Sequence, residues 1–166
     1  MTHIHTGPSS ISASPEAIAQ QKAHYILSRY SKGQKTFTQV KLRGAGVQVI
    51  APNLEQVNLS NANLPDIGLT SSTLCRAVLD GANLRRADLS QADLTGASLQ
   101  NADLSKSNLS GAMLKKASLV GADLTGAAIA GADFSHANLS KAIVDMQTLK
   151  QATLTGATLP DGSVHD

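Results

Sequence analysis

From Leu54 to Leu159 a large apolar residue returns at every fifth position of the chain without a skip. Twenty-two consecutive units share this spacing; 19 carry Leu, and Ile129, Phe134 and Val144 fill the others. Two positions before each lies a second, small residue, Ala in 16 of the 22, and between them stands Asp, Asn, Ser or Thr more often than not. Ala82-Asn83-Leu84-Arg85-Arg86 and Ala87-Asp88-Leu89-Ser90-Gln91 are typical units. A period of five fits neither a helical stripe nor a simple alternating strand. Within a unit, however, the small and large positions are two apart, which is strand spacing, so both side chains face one way and the polar residue faces the other. The two remaining positions are polar or Gly, and Gly fills the last of the five at 81, 96, 111, 121, 126, 131 and 156, where a turn can need positive φ. A short extended piece and a bend, repeated, predict a polygonal coil with Ala and Leu inside.

Ahead of the array the pattern changes. Residues 1–13 are rich in Ser, Thr and His without periodicity and read as a disordered tail. Ser14-Pro15-Glu16 is a helix start, with an N-capping hydroxyl, Pro at the first helical position and an acid in the first turn. Gly33 is placed to end the helix. Ile18, Ala19, Ala23, Ile26, Leu27 and Tyr30 form its apolar stripe. An isolated helix of this length is marginal in water, so the stripe needs a surface. The open first turn of the coil offers one, and the segment 14–33 is expected to cap it. A partner-binding or membrane-surface helix is the alternative, given Lys22, Arg29 and Lys32. Phe37, Leu42 and Val47 again step by five, and Leu54 follows after seven. This predicts three entry units, a bulge near residues 48–51, and a coil spanning 34–159 that is regular from 53. Residues 160–166 form a short tail.

Taken with the pattern Ala-(Asp/Asn)-Leu-x-x held over two thirds of the chain, the sequence resembles the pentapeptide-repeat family. Arg29-Tyr30-Ser31-Lys32-Gly33 followed by Phe37 also resembles the lead-in of its cyanobacterial members. The resemblance implies an all-β solenoid in which four units make one square turn of a right-handed quadrilateral β-helix. Twenty-two units then give about five and a half turns, a rod about 26 Å long at roughly 4.8 Å per turn. It also implies a dimer through the carboxyl end, as in other members, here through Ile143, Met146 and Leu159. A tail folded over that end is the rival.

Departures from the pattern mark places to watch. Pro52, Val57 and Ile67 replace the small residue near the start, where the coil is expected to be wider or to receive the helix; Gln147 predicts a loosened last turn. Ser72 and Ser107 are milder changes. Dividing the units into four faces puts Arg85, Arg86 and Lys106 on one face. Lys115 and Lys116 fall on a face read as adjoining it, and the five bases form a possible partner-binding surface.

Composition narrows the function. Formal charge is +2, too small to argue for nucleic acid or membrane. Residues 54–159 hold eight bases and nine acids, whereas the first 53 hold six bases and one acid, so the basic excess lies at the helix and entry. Only two Phe, two Tyr and no Trp would be thin for a globular core, but each turn of a solenoid packs on its neighbours alone. Cys75 is the single cysteine and excludes an internal disulfide. No apolar run reaches the roughly 20 residues of a membrane span, and no signal peptide is apparent, so the expected location is the cytoplasm.

No catalytic, cofactor or metal site is expected. His3 and His5 are too few, His24, His136 and His165 are scattered, and the Ser residues lack a fixed base. The Gly-Ala runs have no helix behind them to bind phosphate. The leading expectation is a non-enzymatic module binding a protein partner through its flat faces or capped end. A DNA-mimicking gyrase binder, known in the family, is the alternative. It requires a dense negative surface, since duplex DNA carries about one charge per 1.7 Å of axis.

Overall fold

The structure, a computed structural model, describes the backbone of residues 14–43 and 46–166 and, apart from residues 39–49, their side chains. The tail expected over residues 1–13, with His3 and His5, lies outside the described residues.

Apart from the unit at Gln147, each unit of the array is an extended step and a corner. Parallel bridges join residues 20 apart, from Asn53–Thr73 through Asp103–Asp123 to Asn138–Thr158, so four units close one turn and the coil is square. The corner is a turn of the Leu-x-x-Ala kind in which the Ala N–H donates to the Leu carbonyl, as from Ala87 to Leu84 at 2.9 Å. Its third residue has positive φ (Arg86 at 57°, Gln91 at 58°, Gly96 at 66°), which is the geometry of a type II turn. At Gly111 a Cβ would lie 2.0 Å from Nε2 of Gln91, the residue one turn earlier, so Gly leaves room for that side chain to lie along the edge.

Every backbone N–H of a unit finds an acceptor. In Ala87–Gln91 the N–H groups of Ala87, Asp88, Leu89 and Gln91 donate to carbonyls of Leu84, Ile67, Asn108 and Ser110 at 2.8–3.0 Å. The fifth, on Ser90, donates to Oδ1 of Asp88 at 3.1 Å. The same side-chain acceptance recurs at Asn58, Asn83, Asp93, Asp103, Asn108, Asp123, Asp133 and Asn138. This explains why the residue between Ala and Leu is so often Asp or Asn: it points outward, yet it satisfies an otherwise orphaned donor.

The interior is a continuous column of buried Leu with ladders of Ala beside it. Four Leu per turn, at about 1.5–3 kcal/mol each on full burial, hold the turn without aromatic help. Val57 and Ile67 fill the first turn as fully buried side chains. Ser72 and Ser107 sit in the Ala ladders with buried Oγ atoms that have no hydrogen-bond partner.

Helix α1 (Pro15–Ser31) lies across the first turn, with Ser14 Oγ accepting from the Ala17 N–H at 3.2 Å. Ile26 is its one fully buried residue; Ala23 and Tyr30 pack partly against the core. Lys22 Nζ donates to Asn53 Oδ1 and to the Glu55 carbonyl (3.2 and 3.1 Å), and the Tyr30 hydroxyl donates to the Pro65 carbonyl. The capping helix is therefore present, but its stripe is narrower than expected: Ile18 and Leu27 stay exposed.

The entry differs from the sequence expectation. Residues 35–37 add one step to a wall, with Phe37 N–H donating to the Gly68 carbonyl at 2.9 Å and Gly68 N–H to that of Lys35. Leu42 and Val47 are not further units. They face each other as partners in an antiparallel hairpin of β1 (Gln39–Arg43) and β2 (Gly46–Ile50). A spacing of five also arises across a tight hairpin, where residues equidistant from the turn pair.

The last turn is not loosened but rebuilt. At Gln147 the chain winds a short helix, α2 (Met146–Leu149), capped by the Asp145 carboxylate accepting from the N–H groups of Gln147 and Thr148. Gln147 is turned outward while Leu149 remains buried. The register survives, because Asp123–Ile143 and Asp133–Thr153 both keep the step of 20.

Candidate interaction surfaces

A corner residue repeats its position every 20 residues, so the corners form four edges running along the coil. Arg86 and Lys106 share one edge with Asp66, and Arg85 is beside them. Lys115 and Lys116 are half a turn away and occupy the diagonally opposite edge, since a half turn is two units. The faces read as adjoining are thus opposite, and the five bases do not form one patch.

Some of these charges are already paired. Arg86 forms a two-point contact with Asp66, Nε to Oδ1 at 2.6 Å and Nη2 to Oδ2 at 2.8 Å, and Lys115 reaches Asp133 at 3.1 Å. The hydrogen bond from Arg86 holds the Asp66 carboxyl below its ordinary value. At Asp133 and Asp88 burial pushes upward, but hydrogen bonds from Ser135 and Ser90 respectively, with others, outweigh it and leave both lowered. The Asp88 and Asp133 carboxylates serve the turns, and that of Asp66 serves the pair along the edge.

The array offers little chemistry. Burial, followed by the hydrogen bond with Asp93, pushes the Cys75 thiol up to about 11, so the nucleophilic thiolate is scarce at neutral pH. Among the described residues no three of His, Cys, Asp and Glu converge to hold a metal ion, and no helix is long and apolar enough to cross a membrane.

At the carboxyl end the tail pairs with one wall of the last turn. Residues 160–166 turn at Gly162 and run back antiparallel, with Thr158 opposite Val164. Gly156 N–H donates to the His165 carbonyl (2.7 Å), His165 N–H to that of Ala157 (2.8 Å), and Leu159 N–H to that of Ser163 (2.7 Å). Leu159 is half-buried beneath this return, whereas Ile143, Met146 and Val164 are exposed around it.

The capped end is the more concave surface. A cleft of about 440 Å³ opens between α1 and residues 50–54, walled by Ile18, Tyr25, Phe37, Ile50 and Leu54 with Lys22 at its side. Tyr25 meets Phe37 edge-on at 6.3 Å and lies under the Arg29 guanidinium at 5.5 Å. Tyr25 was absent from the apolar stripe read in the sequence. Its seven-residue spacing from Ile18, two helical turns, is the signal that places both on one side of α1.

Fold and surfaces define a square β-solenoid with a helix over its first turn and a filled interior. The family profile for pentapeptide repeats (8 copies) matches residues 53–91, 92–128 and 117–159, and the chain belongs to the pentapeptide-repeat family. Its fold is the right-handed quadrilateral β-helix with an N-terminal capping helix. Among solved structures it is similar to Rfr23, a pentapeptide repeat protein from the cyanobacterium Cyanothece 51142, at 31% identity and a TM-score of 0.41; the match covers 66% of this chain and 65% of that one. The chain thus spans just under two thirds of that relative. It is also similar to HetL from the cyanobacterium Nostoc sp. Strain PCC 7120, involved in heterocyst differentiation regulation (25% identity, TM-score 0.34, covering 84% of this chain and 98% of that one). A third likeness is to QnrB1, a plasmid-mediated fluoroquinolone resistance protein (24% identity, TM-score 0.36, covering 69% and 61%). No curated protein matches.

Proposed function

We propose that this chain is a non-enzymatic interaction module that binds a protein partner in the cytoplasm, through its outer surface at the capped end. One observation carries the reading: exposed apolar side chains and a concave surface coincide at α1, in the part of the chain that holds six bases against one acid. The coil interior is taken up by Leu and Ala and leaves no room for a substrate. The flat walls are less favoured, because the basic residues once read as one surface lie on opposite edges and two of them are paired. HetL supports a regulatory setting by the wording of its description alone. The DNA-mimic alternative is disfavoured by eight bases among the array's nine acids.

Affinity capture from the native host tests the proposal, comparing the full chain with one lacking residues 1–33 whose fold is verified by circular dichroism. A partner retained by the full chain and lost on removal of the helix is expected. Equal recovery by both chains would move the surface to the walls, and no stoichiometric partner in either would count against an interaction module.

A further inference from the structure

We infer that the cleft between α1 and residues 50–54 receives an acidic segment of the partner that inserts a large apolar side chain; this rests on the protein-binding reading above. The cleft has the form of an anchor pocket. Its walls are Ile18, Tyr25, Phe37, Ile50 and Leu54, and Ile18, Tyr25 and Ile50 remain 42%, 47% and 38% exposed although they face one another across a recess. Large apolar groups lining a concavity lose contact with water only when something fills it.

The rim fixes the sign of that occupant. Lys22 lines the cleft with its Nζ held by neutral oxygens of Asn53 and Glu55, and Arg29 lies over the ring of Tyr25, one of the walls. Among the described residues neither cation forms a salt bridge, although the coil pairs Arg86 and Lys115. Glu55 is the acid beside Lys22, so the two bases leave the rim a positive excess. Such a rim attracts a negative segment and repels a second copy of the same end. The recess also favours a polypeptide anchor over a lipid surface, which needs apolar side chains projecting outward rather than lining a hollow.

Selection of random short peptides on the full chain reads the occupant directly. Enriched sequences are expected to be acidic around one or two large apolar residues. Their binding should fall roughly tenfold with Ile18→Asp and with Arg29→Glu, a loss of the size expected at an anchor. Both positions are exposed, so an unchanged melting curve for each variant is the control for folding. Peptides without acidic bias, or no enrichment at all, would overturn the inference. Acidic peptides that bind both variants as tightly as the parent would also overturn it, while leaving the protein-binding reading to the capture experiment. Binding of the chain to phosphatidylserine vesicles with the same sensitivity to Ile18→Asp would instead assign the cleft to a membrane surface and sink the proposal.

Discussion

Ser107 carries a buried hydroxyl that bonds to nothing, in a ladder whose neighbours one turn away are Ala87 and Ala127. An unsatisfied buried polar group costs about 1–3 kcal/mol, so Ser107→Ala is expected to stabilise the coil by about 1 kcal/mol. Calorimetry should register this as a rise in melting temperature of about 2–4 °C for a chain of this size. The opposite change is far more severe. Leu104 is fully buried, and Leu104→Asp would place a charge among apolar neighbours that cannot pair it. Circular dichroism of that variant should show no cooperative melting. Asp103→Ser, one residue earlier, leaves the outer wall with a side chain that can still accept from Ser105 N–H, now 2.9 Å from Asp103 Oδ1, and should melt close to the parent. Equal melting temperatures for the two variants would contradict the assignment of inside and outside.

At the scale of elements, legibility followed regularity. The alternation of Ala, Asp or Asn, and Leu dictates inside, outside and inside, and 22 repetitions leave no competing register. The helix was legible from Ser14, Pro15 and Gly33 because caps act locally. Its docking was less so: which side of a helix is covered depends on the surface it meets, and Ile18 and Leu27 were read as buried but are not. The hairpin of β1 and β2 was missed because its Leu42–Val47 pair imitates the repeat spacing. Of the interaction surfaces, the basic residues were visible but their grouping was not, since it requires the square geometry. The tail was held only as the rival to a dimer, because no repeat marks residues 160–166. Its pairing with residues 156–159 occupies backbone groups that a second coil would need, and blunts an edge that would otherwise invite association. The full chain is therefore expected to be a monomer by light scattering, and a chain ending at residue 159 should self-associate with rising concentration. A full-length dimer abolished by Met146→Lys would reverse this account of the carboxyl end.

For the whole molecule, two properties follow from the same construction. The first is sensitivity to acid. Asp66, Asp88, Asp93, Asp133 and Asp161 are all lowered from an ordinary value of 3.8 in the folded chain. The unfolded chain then binds more protons, so stability is fully present above that value and is lost as pH falls through the folded values. Urea titrations should give a constant midpoint from pH 7 down to about 5 and a falling one below about 4; a midpoint that rises in acid would show that these carboxylates do not support the fold. The second is function through a surface rather than through an interior. A solenoid packed with Leu and Ala presents outer walls and two ends; one end has a wall paired with the tail, while the other combines a helix, an apolar cleft and excess positive charge. Amide hydrogen exchange on the complex with the partner recovered from the host tests this claim most directly. New protection confined to α1 and residues 50–54 is the predicted result. Protection centred on the walls around Arg85 and Lys106, with α1 exchanging as in the free chain, would contradict it.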